Sequence, residues 1–557
     1  MTIAKLADSF RSGVQFVTSR YGGMKGADVA AAVALLACVV IYFLLAWKAS
    51  AAETRWQLDV IDGITVFYGD DAYRYFLARS AWIDPDIALQ GFVLPVALLL
   101  DGVLATLLGD SLLLMRLAHA VISLFSVWLL YLAGRQLKVP AVIMLPSSLT
   151  LALMPLYGYV SMSFYGEFWL AAAVSIALWA MLFRRIGLFV CLISVMPLLR
   201  QEGIYFLIMG TVFLAIEKRR WPFLLAYVPG GVYFLVLLFS ENGLQGSFYW
   251  RAELRQFLNM IEFSNNPLAM LNTYNNIWLF GGAIGLLLKP ARPAWPFSVA
   301  ACLWLCVVFV VVYFKLGDYE PRYTVPALPL IALGWGVLLA WLGAKLKGII
   351  SEQILTPALI GLCAFVVLEN LLQLHAVNQV VAYYRNHSEL PDFRDAAVQD
   401  ALFLPRKPEE VKDAVFMADF AAHLIQENPR INALVVSDVF LFYFLDAESL
   451  GADVNVAFSA TYWPFSKRLL GDELMAVFPG GRHYGYFSLN PPTAESADLL
   501  LYADFISAPE HDVGWVRGRH QLHVFEYRLS AEPQRDFRDK PVINPLSIPP
   551  QEMAPYL

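Results

Sequence analysis

Apolar runs of about 20 residues, the length a bilayer requires, recur along the first two thirds of this chain. Nothing else in the sequence restricts the fold so strongly. Only 15% of the residues are charged and 59% are hydrophobic, against roughly 25% charged in soluble domains. The deficit follows if most of the chain is solvated by lipid. A net charge of −6 carries no signature of nucleic-acid binding.

The runs predict about eleven spans, near 29–47, 113–133, 139–158, 165–183, 186–199, 204–217, 221–240, 276–289, 296–315, 325–343 and 350–372. Run 29–47 is longer than a secretory signal core. It reads as a retained first span, despite a faint cleavage-like Ala49–Ser50–Ala51. All five cysteines fall inside apolar runs, without metal-ligand spacing, and read as small buried hydrophobes.

Basic residues set the orientation. Arg135 and Lys138, Arg184 and Arg185, Lys218 to Arg220, Lys289 and Arg292, and Lys345 and Lys347 follow alternate spans. All fall on the side of the basic N-terminus, which the positive-inside rule makes cytoplasmic. The opposite, outer side receives 48–112, 159–164, 200–203, 241–275, 316–324 and the chain after 373. Within the first of these, 91–108 is apolar but carries Pro95 and Asp101. Making it a span would invert every later loop, so it is expected to lie in or re-enter the outer interface.

The expected organisation is a cytoplasmic N-terminus (1–28), a polytopic α-helical membrane domain (29–372) with a long outer loop (48–112), and an outer α/β domain (373–557) with an extended Pro-rich tail. The α/β reading rests on helical periodicity at 409–427, on INALVVSDVFLFYFL as a buried strand followed by a helix, and on strand-like runs near 454–458, 484–488, 498–502 and 521–528.

The polar residues on the outer side are the candidates for chemistry. Asp70 and Asp71 open the stretch FYGDDAYRYFLARSAW. Asp70 after Gly69 suits a helix N-cap, and Asp71 suits the first turn, with Arg74 able to pair with Asp70 at i+4. One of these carboxylates facing a cavity would instead take a proton from an acceptor. Glu167, at the outer start of a span, is either solvated or in contact with substrate. Arg200 and Glu202 either form an ion pair sealing a hairpin, or Arg200 faces a phosphate. Arg322, with Lys315 and Arg251 behind it, is the preferred charge for a phosphate leaving group. Tyr319 and Tyr323 also suit an aromatic belt. His119 reads as a hydrogen-bonded packing residue, and Phe478–Pro479–Gly480–Gly481 as a turn. His520 and His523, three apart on a strand, point to opposite faces and so do not share a metal.

Four stretches in order resemble one family. The acidic pair in DDAY, the Arg-opened helix SLLLMRLAHAVISLFSVWLLYLAGRQL, the turn LLRQEGIYFLI and the loop YEPRYTVPALPLIAL are similar to motifs of the GT-C glycosyltransferases. Within them, the nearest group is that of the protein O-mannosyltransferases and lipid A aminoarabinose transferases. The resemblance covers about residues 29–372. It implies a sugar transferase of the plasma (inner) membrane that uses a polyprenyl-phosphate-linked donor at the outer face and acts by inverting displacement. The acceptor would be a hydroxyl on a glycan, lipid or protein.

The motif's first acid falls on Asp70, the implied base. Asp71 stands where Glu is usual, which leaves the division of labour between them open. Tyr73, Glu167, Arg200, Glu202, Tyr319 and Arg322 are the expected substrate-binding residues. No cofactor is expected; the acidic pair could chemically hold a divalent ion, but the resemblance favours metal-free catalysis. Transporters, flippases, polymerases and ligases of lipid-linked glycans share the many spans and cavity charges. The internal repeats common in transporters are not evident here.

The charge pattern gives a direct expectation. Cysteine-accessibility labelling should find position 450 outside and the loops at Arg184 and Lys218 in the cytoplasm. Labelling of position 450 from the cytoplasm would invert the arrangement.

Overall fold

Long apolar stretches without polar partners for their backbone satisfy it internally, as helices. In the computed structural model the described residues are 33–42 and 44, then 74, 75 and 78, then 94–108, 112–239, 276–313, 321–347, most of 349–371, 408–427 and six strands. Helices occupy the expected apolar runs. They are Leu112–Gln136, Ala141–Leu153, Gly166–Leu182, Ile186–Leu199, Gly203–Ile216, Val228–Phe239, Asn276–Leu287, Trp295–Tyr313 and Leu328–Leu346.

Three helical stretches among the described residues are long and apolar enough to cross a membrane: Leu113–Gln136, Lys289–Val308 and Arg322–Leu346. The other apolar helices are shorter. Ile186–Leu199 and Gly203–Ile216 have 14 residues each, about 21 Å at 1.5 Å per residue, less than the roughly 30 Å hydrocarbon core.

The run 139–158 is not one helix. It breaks at Met154 into Ala141–Leu153 and Pro155–Val160, with Met154 extended at φ −66°, ψ 125°. Pro155 is the cause, because a proline ring pushes the preceding residue out of the α region. Run 221–240 divides similarly, into Arg220–Leu225 and Val228–Phe239. The segment expected at the interface forms helix Pro95–Leu108, and Asp101 is buried inside it. Pro95 takes the first helical position, where its missing N–H costs nothing. At 14 residues this helix is also about 21 Å long, and it packs against Leu112–Gln136 and Ile186–Leu199.

Three of the basic turns share one construction. Lys138, Arg184 and Lys218 have φ of 66°, 58° and 56°. In each, the N–H of this residue bonds the carbonyl three back and the next N–H bonds the carbonyl five back, the Schellman helix ending. Glycine usually fills that left-handed position. Here a cation does, beside carbonyls at the negative end of the helix dipole.

The most extensive helix contact joins Asn276–Leu287 to Leu328–Leu346. Small residues let the two backbones touch. A Cβ added at Gly285 would strike the Gly334 carbonyl, and one at Gly334 would strike the carbonyl of Gly282.

Beyond the bundle, helix Pro408–Glu427 packs on a six-stranded sheet. The strands are β1 (Ile431–Val436), β2 (Asn455–Ser459), β3 (Tyr484–Tyr486), β4 (Leu499–Phe505), β5 (Trp515–Arg517) and β6 (His520–Glu526), in the order β3-β2-β1-β4-β6-β5. The central strand β1 runs parallel to β2 and β4, and the outer pairings are antiparallel. Strand β5 has no counterpart in the sequence reading; its three residues are too few to show an alternating pattern.

Gly334→Leu should cost about 3 kcal/mol, the upper end of common overpacking penalties, because the obstacle is backbone that cannot swing aside. Thermal unfolding in detergent checks this. Gly187→Leu, where an added Cβ meets nothing within 4 Å, should unfold like the parent.

Candidate active site: an arginine cluster around a buried carboxylate

Helix Gly166–Leu182 begins at Tyr165, which is extended at φ −76°, ψ 135°. Glu167 lies in the first turn, where the helix dipole favours a negative charge. Its side chain is 0% exposed. A buried carboxylate is tolerated only when paired, and cations surround this one.

Arg200 comes from the turn between Ile186–Leu199 and Gly203–Ile216, with Nη1 3.3 Å from Glu167 Oε1. Gly166 makes the approach possible, since a Cβ there would lie 2.9 Å from Arg200 Cδ and 2.8 Å from the Leu199 carbonyl oxygen. Arg322 comes from the 3-10 turn Pro321–Ala327, with Nε 3.5 Å from the same carboxylate oxygen. Arg74, from the first outer loop, also acts electrostatically on Glu167.

Arg200 is further committed. Its Nε donates to Glu202 Oε2 at 3.0 Å and its Nη2 to Glu202 Oε1 at 2.6 Å. All three of its nitrogens thus face carboxylates, as in the hairpin-sealing ion pair. Burial works against the charge of Arg200, and Glu167 and Glu202 outweigh it, holding the guanidinium above its ordinary pKa.

The guanidinium of Arg322 lies over the Tyr165 ring, Cζ 3.9 Å from the centroid, and Arg74 Cζ is 5.3 Å from the same centroid. Both are within cation–π reach. Tyr323 lies beneath Arg200 and Arg322, at 5.5 and 5.7 Å. The turn carrying Arg322 is pinned by Trp304, whose Nε1 donates to the Tyr323 carbonyl at 2.7 Å.

Three arginines among the described residues act on Glu167, and Glu202 pairs with one of them, Arg200. Among the described residues no group of three or more metal-ligating side chains occurs.

Of the residues singled out in the sequence, Glu167, Arg200, Glu202 and Arg322 therefore meet. They lie 155 positions apart at the extremes, yet all come from segments that the charge pattern assigns to one side. Asp70, Asp71, Tyr73 and Tyr319 lie outside the described residues. Sequence reasoning gave Tyr165 no role and used Arg74 only as a partner for Asp70. The aromatic density of SFYGEFW around the acid is the signal that marks Tyr165.

Glu167→Gln should destabilise the fold by about 2–3 kcal/mol. That is below the roughly 3–5 kcal/mol for breaking a fully buried pair, because the Arg200 and Arg322 side chains each keep 15% exposure. Unfolding in detergent gives the number, and a loss under about 0.5 kcal/mol, the size of an ordinary surface substitution, would show that Glu167 does not anchor the cluster.

No protein-family model matches the chain, and no curated protein matches it in sequence. Solved structures do. ArnT from Cupriavidus metallidurans in the apo state is similar at 15% identity and TM-score 0.46, over 89% of this chain and 98% of that one. ArnT from the same organism bound to undecaprenyl phosphate is similar at 15% identity and TM-score 0.50, over 88% of this chain and 97% of that one. At this identity the likeness to the lipid-bound structure is one of fold alone.

Proposed function

We propose that the protein is a GT-C-type glycosyltransferase of the inner membrane that moves a sugar from a polyprenyl-phosphate donor to an acceptor hydroxyl at the outer face. The observation that carries this reading is the convergence of Arg74, Arg200 and Arg322 on Glu167. A polyprenyl phosphate presents an anion at a membrane surface, and guanidinium groups gathered at one place suit phosphate oxygens. The related fold of ArnT binds undecaprenyl phosphate, which supports a donor of that class.

Chain connectivity brings the acids near. Asp70 precedes Arg74 by four residues, so their Cα atoms are at most about 14 Å apart even in a fully extended chain. In the proposed reaction Asp70, assisted or replaced by Asp71, accepts the acceptor's hydroxyl proton. The acceptor oxygen forms a bond to the anomeric carbon while the bond from that carbon to the phosphate oxygen breaks. The bonding electron pair leaves on the phosphate, where fixed positive charge stabilises it. One displacement inverts the anomeric centre and needs no covalent enzyme intermediate.

Arg322 is the favoured phosphate contact. Arg200 is already held by two carboxylates, so its role is to shape the site. Tyr73 and Tyr319 are proposed to line the donor headgroup. The sheet after residue 431 belongs, in this reading, to an outer α/β domain.

Transfer from synthetic polyprenyl-phosphate sugars tests the assignment. Asp70→Asn keeps a capping side chain but cannot take a proton, so turnover should fall by roughly 10²–10⁴-fold in a folded protein. Asp71→Asn should lose less. Arg322→Ala should be almost inactive and Arg322→Lys partly active, since lysine keeps the charge without the planar fork. Full activity in both aspartate variants would remove the acidic pair from the mechanism, and full activity in Arg322→Ala would remove the phosphate contact.

A further inference from the structure

A second set of buried polar groups lies directly behind the arginine cluster. Asp101, in helix Pro95–Leu108, is 2% exposed and His119 is fully buried. One carboxylate oxygen, Asp101 Oδ1, accepts two bonds, from Trp169 Nε1 at 2.8 Å and from His119 Nε2 at 2.8 Å. Toward an ionised carboxylate, Nε2 is the nitrogen that must carry the proton. His119 Nδ1 is buried without a hydrogen-bond partner among the described residues. An ionisable side chain inside a membrane bundle is costly and marks a functional requirement by default.

The requirement is legible in the segment 164–169, which has two faces. Phe164, Phe168 and Trp169 pack on the His119 ring with centroids 5.3, 4.8 and 5.5 Å away. Tyr165 and Glu167 contact the arginines. Phe164 also packs on Tyr75 at 5.2 Å, the neighbour of Arg74. The groups that touch His119 are therefore chain neighbours of those that hold the arginines.

We propose that Asp101 and His119 are positioning residues for the arginine site. The shared carboxylate oxygen ties three helices together behind segment 164–169. It thereby fixes where Tyr165 and Glu167 stand before Arg74, Arg200 and Arg322. The proposal rests on the reading of that site as the seat of a lipid phosphate, and it predicts that Asp101 acts on affinity from behind the site without touching the ligand.

The experiment measures the Kd of undecaprenyl phosphate on purified full-length protein in detergent, together with thermal stability. Asp101→Leu should weaken binding about tenfold, the lower end of losses on removing support behind a ligand shell. Trp169→Phe, a milder change that removes one of the two bonds, should weaken it about threefold and guards against misfolding of the first variant. Asp101→Asn keeps an oxygen for both donors and should bind within about threefold of the parent. Tyr42→Phe is the control, since it removes an unrelated buried bond, from Tyr42 Oη to the Ala152 carbonyl at 2.7 Å. It should lower stability and leave Kd alone.

Parent-like Kd in both Asp101→Leu and Trp169→Phe, beside lost binding in Arg322→Ala, would overturn the positioning role alone. Equal losses in Asp101→Asn and Asp101→Leu would also overturn it, since the shared oxygen would then not be the cause. Parent-like Kd in Arg322→Ala would overturn the phosphate reading, and this proposal with it.

Discussion

The architecture at one end of the bundle depends on a carboxylate with no access to water. Glu167 would be prohibitively placed if alone, because desolvating one ion costs several kcal/mol even after relaxation. The pairs with Arg200 and Arg322 make it tolerable. The converse also holds: three guanidiniums repel one another, and Glu167 is what allows them to gather. Each ion comes from a different connection between helices, so the bundle must close correctly before the charges can pair. Pairs of this kind contribute little net stability, and their value here is geometric: they select the packing in which these connections meet.

The packing that brings the connections together depends in turn on small residues and short helices. Gly282, Gly285 and Gly334 allow two helices to meet backbone to backbone. Gly166 does the same for a helix start and the Arg200 turn. At the other ends, Lys138, Arg184 and Lys218 close their helices in left-handed geometry, and Arg184 reaches Glu217 of the neighbouring turn at 3.1 Å. Lysine and arginine in a position that favours glycine carry a steric cost of about 1–2 kcal/mol. Charge placed against the helix dipole offsets part of it. Cations therefore sit where the helix ends require them and where the topology rule counts them.

Much of this was legible in the sequence because the relevant signals are local or additive. Hydropathy located the helices, and loop charges sorted their ends onto two sides. That sorting put Glu167, Arg200 and Arg322 on one side before any contact was known. Hydropathy does not register a single proline's effect on its neighbour, so the break at Met154 was hidden. It also could not identify partners. Asp101 looked like a polar interruption of an apolar run, and His119 like a hydrogen-bonded packing residue, which it is, but with its partner unnamed. Their bond spans 18 positions, and the bond of Asp101 to Trp169 spans 68. No periodicity encodes either separation. Tyr165 escaped for a related reason, since aromatic residues at a membrane interface are common enough to need no further role.

The placement of the cluster also bears on what kind of machine this fold is. Secondary transporters hold their cargo near the bilayer midplane and expose it to each side in turn. Their binding charges must be able to part. Here the charges occupy element ends: the first turn of one helix, the turn between two others, and a 3-10 turn leading into a fourth. Arg200 is paired with two carboxylates, Arg322 lies over the Tyr165 ring, and Trp304 pins the turn that carries Arg322. A site so braced is suited to holding one anion at one surface while charge builds on it. Fixed dipoles and ions that need no reorganisation are what stabilise a departing phosphate, whereas alternating access would require breaking the same ion pairs on every cycle. A braced site of this kind agrees with the transferase proposed above.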